Sequence, residues 1–322
     1  TLDEAIFAIK EMQVRGAPLI GVTAAYGLYL ASKNNSDIEN LIQSAKQLKD
    51  TRPTAVNLAW AVDKIIKQIT DVDKNKRSED ILQIVNKIRE DDIKSCSKIG
   101  DNGLKLLEEI YNKKNSTVNI LTHCNAGWLA TVDWGTALSP IFKANKKNIP
   151  IHVWVDETRP RNQGFNLTAW ELINENIPNS LIVDNVGGHL MQKGMVDVCI
   201  TGTDRTTLNG DVCNKIGTYL KALAAFDNNI PFYVAAPISS IDFTIQNGLN
   251  NILIEERDEE EVSSVYGINS KGITESVKIT PQNANCKNYA FDVTPAKFIT
   301  KIITERKVVD ANQSSIAELV VQ

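Results

Sequence analysis

The chain has 322 residues, a formal net charge of −4 and 43% hydrophobic residues, an ordinary balance for a soluble globular protein. No basic block favours a nucleic-acid partner, and no apolar run approaches the ~18 residues that a membrane helix needs. There is no recognisable signal peptide, and five scattered cysteines without a CxxC pair indicate reduced thiols in the cytoplasm.

The first third of the chain predicts helices only. Apolar residues recur at helical spacing from Leu2 to Met12, and the turn at Arg15-Gly16-Ala17-Pro18 ends this helix and starts the next. Further helices are predicted over 19–31, 37–48, 59–69 and about 79–111, with a loop over 51–58. The composition shifts to Asn, Lys and Ser at 112–116, so we place a domain boundary between residues 112 and 113.

Beyond this boundary, predicted strands alternate with predicted helices. The strands are 118–122, 151–155, 180–183, 198–200, 232–235 and 251–254, and the helices are 131–143, 167–175, 186–193 and 216–225. A short helix is also predicted after Thr294-Pro295. This alternation predicts an α/β fold with a parallel sheet covered by helices. No GxGxxG motif follows the first strand, which disfavours a dinucleotide site.

Two strand ends carry residues suited to acid/base chemistry, and ligands of open α/β sheets bind at such ends. Cys124 follows the first strand, where we expect a helix N-terminus and nearby cations to lower the pKa of its thiol. Asp204 and Lys215 follow the fourth strand, and an acid beside an ammonium suggests proton transfer next to an anion. The alternatives are a small buried cysteine, a turn aspartate and a surface lysine.

The loop over 156–164 contains Arg159, Arg161 and Gln163, which could clamp a phosphate or orient sugar hydroxyls. The alternative is a solvated charged loop. His123, His152 and His189 have no HxxxH spacing, and neither a Walker A pattern nor a GxSxG motif is present. The sequence therefore predicts chemistry on a phosphorylated metabolite without a metal or other cofactor.

Several long motifs resemble the methylthioribose-1-phosphate isomerase family of the methionine salvage pathway, over about residues 15–303. They are VRGAPLIGVTAAYGL, TRPTAVNL, THCNAGWLAT, VDETRPRNQGFNLTAWEL, GTDRTTLNGDVCNKIGTY and AFDVTPAKFIT. That family is related to regulatory subunits of a translation initiation exchange factor and to ribose-1,5-bisphosphate isomerase. The resemblance implies a small, mainly helical N-terminal domain (1–112), then a Rossmann-like catalytic domain (113–322), and a homodimer.

The resemblance also implies roles for nine residues, carried over motif by motif. Cys124 and Asp204 match the catalytic pair, while the substrate-binding positions are matched by Arg15, Gly16, Ala17, Arg52, Gln163, Asn214 and Lys215. Thr203 and Cys213 stand where smaller residues are usual, and Tyr289 replaces an expected proline. These departures affect packing and remove no catalytic group.

The implied reaction converts an aldose phosphorylated at C1 into the corresponding ketose, with a sugar phosphate as the small-molecule partner and no nucleic acid or membrane. Two alternatives stay open. The substrate could be another C1-phosphorylated aldose, either ribose-1,5-bisphosphate or 5-deoxyribose 1-phosphate. The chain could instead be a non-catalytic regulatory subunit that binds a sugar phosphate, although such relatives are expected to lack the Cys–Asp pair.

Overall fold

The computed structural model describes residues 1–52 and 56–320. Pro53, Thr54 and Ala55, in the loop predicted over 51–58, lie outside the described residues. Up to Lys114 the described chain is helical, as predicted. The helices are α1 (Leu2–Lys10), α2 (Ala17–Asn34), α3 (Ile38–Lys49), α4 (Val56–Ile69) and α5 (Lys74–Lys114).

The turn between α1 and α2 is fixed by local geometry. Gly16 has a φ of 95°, and a Cβ at this position would lie 2.4 Å from the carbonyl oxygen of Ala130, so only glycine fits. Pro18 lies in the first turn of α2, where its missing N–H costs no helical hydrogen bond. Buried apolar side chains of α2–α5, including Leu28 and Ile65, form one core. The Arg15–Gly16 turn is therefore held between this core and the α/β part.

A seven-stranded sheet forms the centre of the second part. Its strands, in spatial order, are β13 (Val308–Val309), β12 (Lys301–Ile303), β7 (Phe232–Ala235), β4 (Val198–Thr201), β1 (Val118–Thr122), β2 (Ile151–Asp156) and β3 (Asn179–Ile182). All neighbours pair in parallel except the edge strand β13. The six parallel strands follow the Rossmann order 3-2-1-4-5-6, with the switch point between β1 and β4.

Helices cover both faces of this sheet. Side chains of α5, α6 (Leu138–Lys146) and α7 (Ala169–Asn174) pack on one face. The other face is covered by α8 (Val186–Gln192), α9 (Thr218–Asp227) and α12 (Gln313–Ala317). The protein is thus a mixed α/β fold with a helical N-terminal part, as the sequence predicted. Where its domains divide stays a prediction; α5 ends at Lys114 and β1 begins at Val118.

A second, smaller sheet lies beside the switch point. Its order is β11 (Phe291–Thr294), β6 (Val212–Lys215), β5 (Arg205–Thr207) and β8 (Ile241–Asp242). The segment between β8 and β11 contains α10 (Gly248–Asn251), α11 (Glu260–Ser263) and the hairpin of β9 (Ser264–Ile268) with β10 (Thr274–Lys278). The sequence did not predict the second sheet or the hairpin.

Two predicted elements are wrong. The helix over 131–143 begins only at Leu138, because Trp134 and Gly135 have φ values of 68° and 76° that no α-helix accommodates. The strand over 251–254 is absent, because the Asn247 side chain caps α10 and its helix extends to Asn251. The short helix after Thr294-Pro295 is a single 3-10 turn, Ala296–Phe298. No helix in the described ranges is both long and apolar enough to cross a membrane.

Candidate active site

The predicted site residues converge at the switch point of the sheet. Cys124 lies two residues after β1, and Asp204 lies three residues after β4, on the neighbouring strand. Two small adjoining cavities, of about 30 and 20 Å³, open here. Their combined walls include all nine residues that the family resemblance implied: Arg15, Gly16, Ala17, Arg52, Cys124, Gln163, Asp204, Asn214 and Lys215.

The Cys124 thiol is held in one place by its backbone and by Gln163. Cys124 has a φ of 68°, its N–H donates to Thr158 Oγ1 at 2.8 Å, and its carbonyl oxygen accepts from Thr168 Oγ1 at 2.8 Å. These bonds hold a left-handed conformation that is unfavourable for a non-glycine residue. The thiol donates to Gln163 Oε1 at 3.4 Å. Cys124 is 8% exposed, so its reactive atom faces the cavity rather than bulk solvent.

The expected lowering of this thiol's pKa is wrong. Cys124 is not at a helix N-terminus, since the first helical turn, Trp128–Ala130, begins four residues later. Burial raises the pKa of the Cys124 thiol, although the charges of Arg15 and Lys215 act to lower it. The thiol is therefore protonated in the ligand-free protein at neutral pH.

Arg15 is fixed beside the thiol by Asn125. Its Nη1 donates to Asn125 Oδ1, its Nη2 donates to the Asn125 carbonyl oxygen at 2.8 Å, and Nη2 lies 4.0 Å from Cys124 Sγ. The Asn125 amide in turn donates to Glu171 Oε1 at 2.9 Å and to Thr168 Oγ1 at 3.2 Å. The Arg15 guanidinium is therefore a preorganised positive charge at the site.

Asp204 and Lys215 bring a carboxyl group and an amino group, each with a shifted pKa, into the same cavity. Burial raises the pKa of Asp204, against the lowering influence of Lys215, Arg52 and Arg15. Lys215 ends β6 and is only 6% exposed, with Nζ 4.9 Å from the centre of the Phe291 ring. Burial lowers the pKa of Lys215. The cationic side chains of Arg15, Arg52 and Lys215 therefore lie around the two groups that can carry a proton, Asp204 and Cys124. This arrangement suits acid/base chemistry on an anionic substrate.

The remaining predicted binding residues, Asn214, Arg52 and Ala17, also line the site cavities, and each is held by different contacts. The buried Asn214 donates through Nδ2 to Thr218 Oγ1 at 2.9 Å and so fixes the link between β6 and α9. Arg52 is buried, and its Nε lies 3.4 Å from Glu255 Oε2. Ala17 begins α2 directly behind the Gly16 turn.

The two loop arginines do not face the site as a phosphate clamp. Arg159 donates to the Val262 carbonyl oxygen at 2.8 Å, and Arg161 Nη1 lies 2.7 Å from Glu261 Oε1. Both side chains anchor the segment around α11 instead. Of the three loop residues that the sequence suggested for binding, only Gln163 reaches the Cys124 thiol. The solvated-loop alternative is also wrong for Arg159, because that residue is partly buried.

One group of side chains beneath the site could hold a metal ion: His123, Asp156 and Asp184. The positive charge that a metal ion would bring to this group is already supplied by Lys221. The Lys221 Nζ lies 3.2 Å from Asp156 Oδ2 and donates to the Asp184 carbonyl oxygen. His123 lies 2.8 Å from Asp156 Oδ2 through Nδ1, and its Nε2 faces the Ile216 carbonyl oxygen at 2.8 Å. The donor set therefore fits a buried ammonium better than a divalent cation.

Sequence reasoning missed the residues that support the site. Asn125 was in a quoted motif, yet its role in holding Arg15 was not foreseen. Glu171 accepts hydrogen bonds from the Asn125 side chain and from two backbone N–H groups, of Trp128 and Leu129. Glu255 approaches Arg52 from 203 residues away. Glu171 stands in a motif of the family resemblance but was given no role there, and Glu255 lies outside those motifs.

Comparison with known proteins gives a consistent family assignment. The model of the Initiation factor 2 subunit family matches residues 13–310. The methylthioribose-1-phosphate isomerase of Escherichia coli is 56% identical over 97% of this chain and 84% of its own length. The isomerase of the same name from Methylorubrum extorquens is 53% identical over 99% of this chain and 87% of its own length.

Solved structures are similar across the whole described chain. The 5-methylthioribose 1-phosphate isomerase from Pyrococcus horikoshii superposes with a TM-score of 0.83 at 39% identity, covering 100% of this chain and 88% of that one. The delta subunit of translation initiation factor eIF-2B from A. fulgidus superposes with a TM-score of 0.76 at 37% identity, covering 99% and 91%. Both an enzyme and a translation factor therefore share this fold.

Proposed function

The chain belongs to the Initiation factor 2 subunit family, and on that basis we propose that it is a methylthioribose-1-phosphate isomerase of methionine salvage. It converts 5-methylthioribose 1-phosphate into 5-methylthioribulose 1-phosphate, an aldose–ketose isomerisation. The observation that carries the proposal is that Asp204 and Cys124 line one cavity with three cationic side chains, Arg15, Arg52 and Lys215. The cations balance the charge of the substrate phosphate, and Asp204 and Cys124 are the groups that can donate or accept protons.

The phosphate on C1 locks the sugar ring, so the ring must open before hydrogen moves from C2 to C1. Asp204 gives a proton to the ring oxygen as the bond from C1 to that oxygen breaks. Burial raises the pKa of Asp204 and so favours the protonated form that this step needs. The resulting carboxylate then accepts the proton of the C2 hydroxyl as the ketone forms. Asp204 thereby returns to its starting state in one turnover.

The raised pKa of the Cys124 thiol bears on the route that the C2 hydrogen takes. Because burial raises the pKa of Cys124, the thiol enters the reaction protonated and is a poor base. We therefore favour direct hydride movement from C2 to C1, with Cys124 stabilising the developing charge. A substrate carrying deuterium at C2 should keep that label at C1 of the product. Washout of the label into solvent would instead assign a proton transfer to a thiolate.

The space beside the site suits an apolar group on C5. A cavity of about 360 Å³ shares Met12, Arg15 and Gln163 with the smaller site cavity. Its apolar wall residues are Met12, Val14, Leu19, Leu129 and Leu167. Its second cation, Arg161, is already paired with Glu261. A thioether gains from such walls, whereas a second phosphate would need free basic groups.

A turnover assay with purified protein and no added metal or nucleotide tests this function. The substrates are methylthioribose 1-phosphate, ribose-1,5-bisphosphate and 5-deoxyribose 1-phosphate, compared by kcat/KM. We expect a clear preference for the first. A preference for either of the other two sugars would leave the proposed mechanism unchanged but would assign the protein to a different metabolic pathway. No turnover of any of them, with Cys124 reduced, would favour a regulatory sugar-phosphate-binding subunit like the translation-factor relatives.

The enzyme acts as a homodimer in the cytoplasm under this proposal. Support comes from the family resemblance and from exposed apolar side chains such as Leu220 on α9, which a second copy could cover. Light scattering should give a mass of twice 35.6 kDa. A monomer mass at micromolar concentration would contradict the dimer without affecting the assigned chemistry.

A further inference from the structure

A chain of ion pairs runs from Arg52 in the helical part to Arg161 in the loop after β2. Arg52 Nε lies 3.4 Å from Glu255 Oε2, and Glu255 Oε1 lies 3.0 Å from Arg257 Nη1. Arg257 Nη2 lies 2.8 Å from Glu261 Oε1, which also pairs with Arg161 at 2.7 Å. Positive and negative side chains therefore alternate along this chain of ion pairs, which links the segment 255–261 to both sides of the site.

The backbone at Glu255 is firmly placed. Its carbonyl oxygen accepts from Ala290 N at 2.9 Å, and Arg257 N donates to the Asn288 carbonyl oxygen at 2.9 Å. Ala290 directly precedes Phe291, whose ring contacts Lys215 in the site. The side chains of Arg52 and Glu255 are only 8% and 16% exposed. Their pair is thus shielded from solvent, so that losing one partner leaves a poorly compensated charge.

We propose that Glu255 is a positioning residue that orients Arg52 toward the substrate phosphate, with Arg257 holding Glu255 in place. Glu255 lines none of the cavities at the site, whereas Arg52 does, so Glu255 acts through Arg52. A guanidinium has five N–H donors, and a carboxylate on Nε fixes its plane while other N–H groups can meet a phosphate. This inference rests on the proposed function for the identity of the anion.

The direction in which the phosphate Kd changes when Glu255 loses its carboxylate distinguishes orientation of Arg52 from a simple effect of the Glu255 charge. By charge alone, removing the Glu255 carboxylate would strengthen phosphate binding, because one negative charge near the anion is lost. If Glu255 orients Arg52, its loss weakens binding instead. Glu255→Gln keeps the size of the side chain but replaces the charge-assisted contact to Arg52 with a weaker, neutral one. Glu256→Gln is the matched control, since Glu256 is the next residue and pairs with the surface residue Lys287 at 2.8 Å.

The experiment measures the Kd of inorganic phosphate by calorimetry, which needs no turnover, and then kcat and KM for methylthioribose 1-phosphate. We expect Glu255→Gln to raise both the phosphate Kd and KM about tenfold with kcat within about threefold, a pattern of lost ground-state binding. Glu256→Gln should match wild type. Arg257→Gln should shift both constants in the same direction by a smaller factor, which keeps the test available if Glu255→Gln does not fold.

An unchanged or lower phosphate Kd in Glu255→Gln would overturn the inference, as would a fall in kcat with no change in KM. Failure of the proposed function would look different. It would appear as a wild-type protein that turns over none of the three sugar phosphates, whatever its phosphate Kd. A wild-type protein that binds no phosphate would overturn the inference directly.

Discussion

Asp204→Asn removes the proposed acid while leaving its surroundings in place. The residue is held by its backbone, since its N–H donates to the Cys213 carbonyl oxygen at 3.0 Å, and this bond does not need the carboxyl group. Burial raises the pKa of Asp204, so a neutral amide resembles the protonated acid that the ligand-free site favours. We therefore expect the variant to fold with a free energy of unfolding within about 1 kcal/mol of wild type.

The catalytic loss should be far larger than this change in stability. A positioned general acid contributes roughly 10²–10⁴-fold in rate, which is about 2.7–5.4 kcal/mol of barrier. Substrate binding should not weaken, because the neutral amide carries the same charge as the protonated acid and leaves the cations Arg15, Arg52 and Lys215 in the cavity. The expected result is a kcat at least about 100-fold lower, with KM unchanged or reduced.

The assay is steady-state turnover of methylthioribose 1-phosphate across pH, together with thermal unfolding. In wild type, kcat/KM should fall as pH rises through the elevated pKa of Asp204, because the protonated form that donates to the ring oxygen is lost. That decline should be missing from the residual activity of Asp204→Asn. The control is Asp227→Asn, at the exposed end of α9, which should behave as wild type. A near-normal kcat in Asp204→Asn would refute the acid/base role.

Three further outcomes are expected. Cys124→Ser should lower kcat at least about 100-fold, because a serine hydroxyl lacks the polarisable sulfur that stabilises the developing charge in the proposed mechanism; a wild-type rate would leave Cys124 with a packing role only. Lys215→Ala should mainly raise KM and the phosphate Kd, and an unchanged KM would remove Lys215 from the phosphate site. Burial raises the pKa of Asp92 to about 6, so ionisation costs stability as pH rises from about 4 through 6. Asp92→Asn should therefore stabilise the protein by about 3 kcal/mol at pH 8 and by nothing below pH 4, measured by denaturant unfolding; equal stability at both pH values would contradict this.

The sequence alone determined the elements whose signal is local. Helical periodicity predicted α2 to α5, and short apolar runs predicted β1, β2, β4 and β7 at nearly their observed bounds. The sequences of parallel strands that are buried on both faces are continuous apolar runs, and for this reason these four strands could be predicted. Strand ends also indicated Cys124, Asp204 and Lys215, because the polar groups that follow parallel strands collect at one edge of a sheet, while the family resemblance supplied the full set of nine site residues.

Tertiary structure alone decided what depends on distant partners. Strand β6 is short and pairs with β11, more than 70 residues later, so no local alternation marks it. The pKa of Cys124 rises because of burial that the folded chain imposes, against the cationic influence that the motif suggested. Glu255 meets Arg52 across 203 residues. Burial and charge pairing are properties of assembled surfaces, and a local sequence pattern does not encode which surfaces meet.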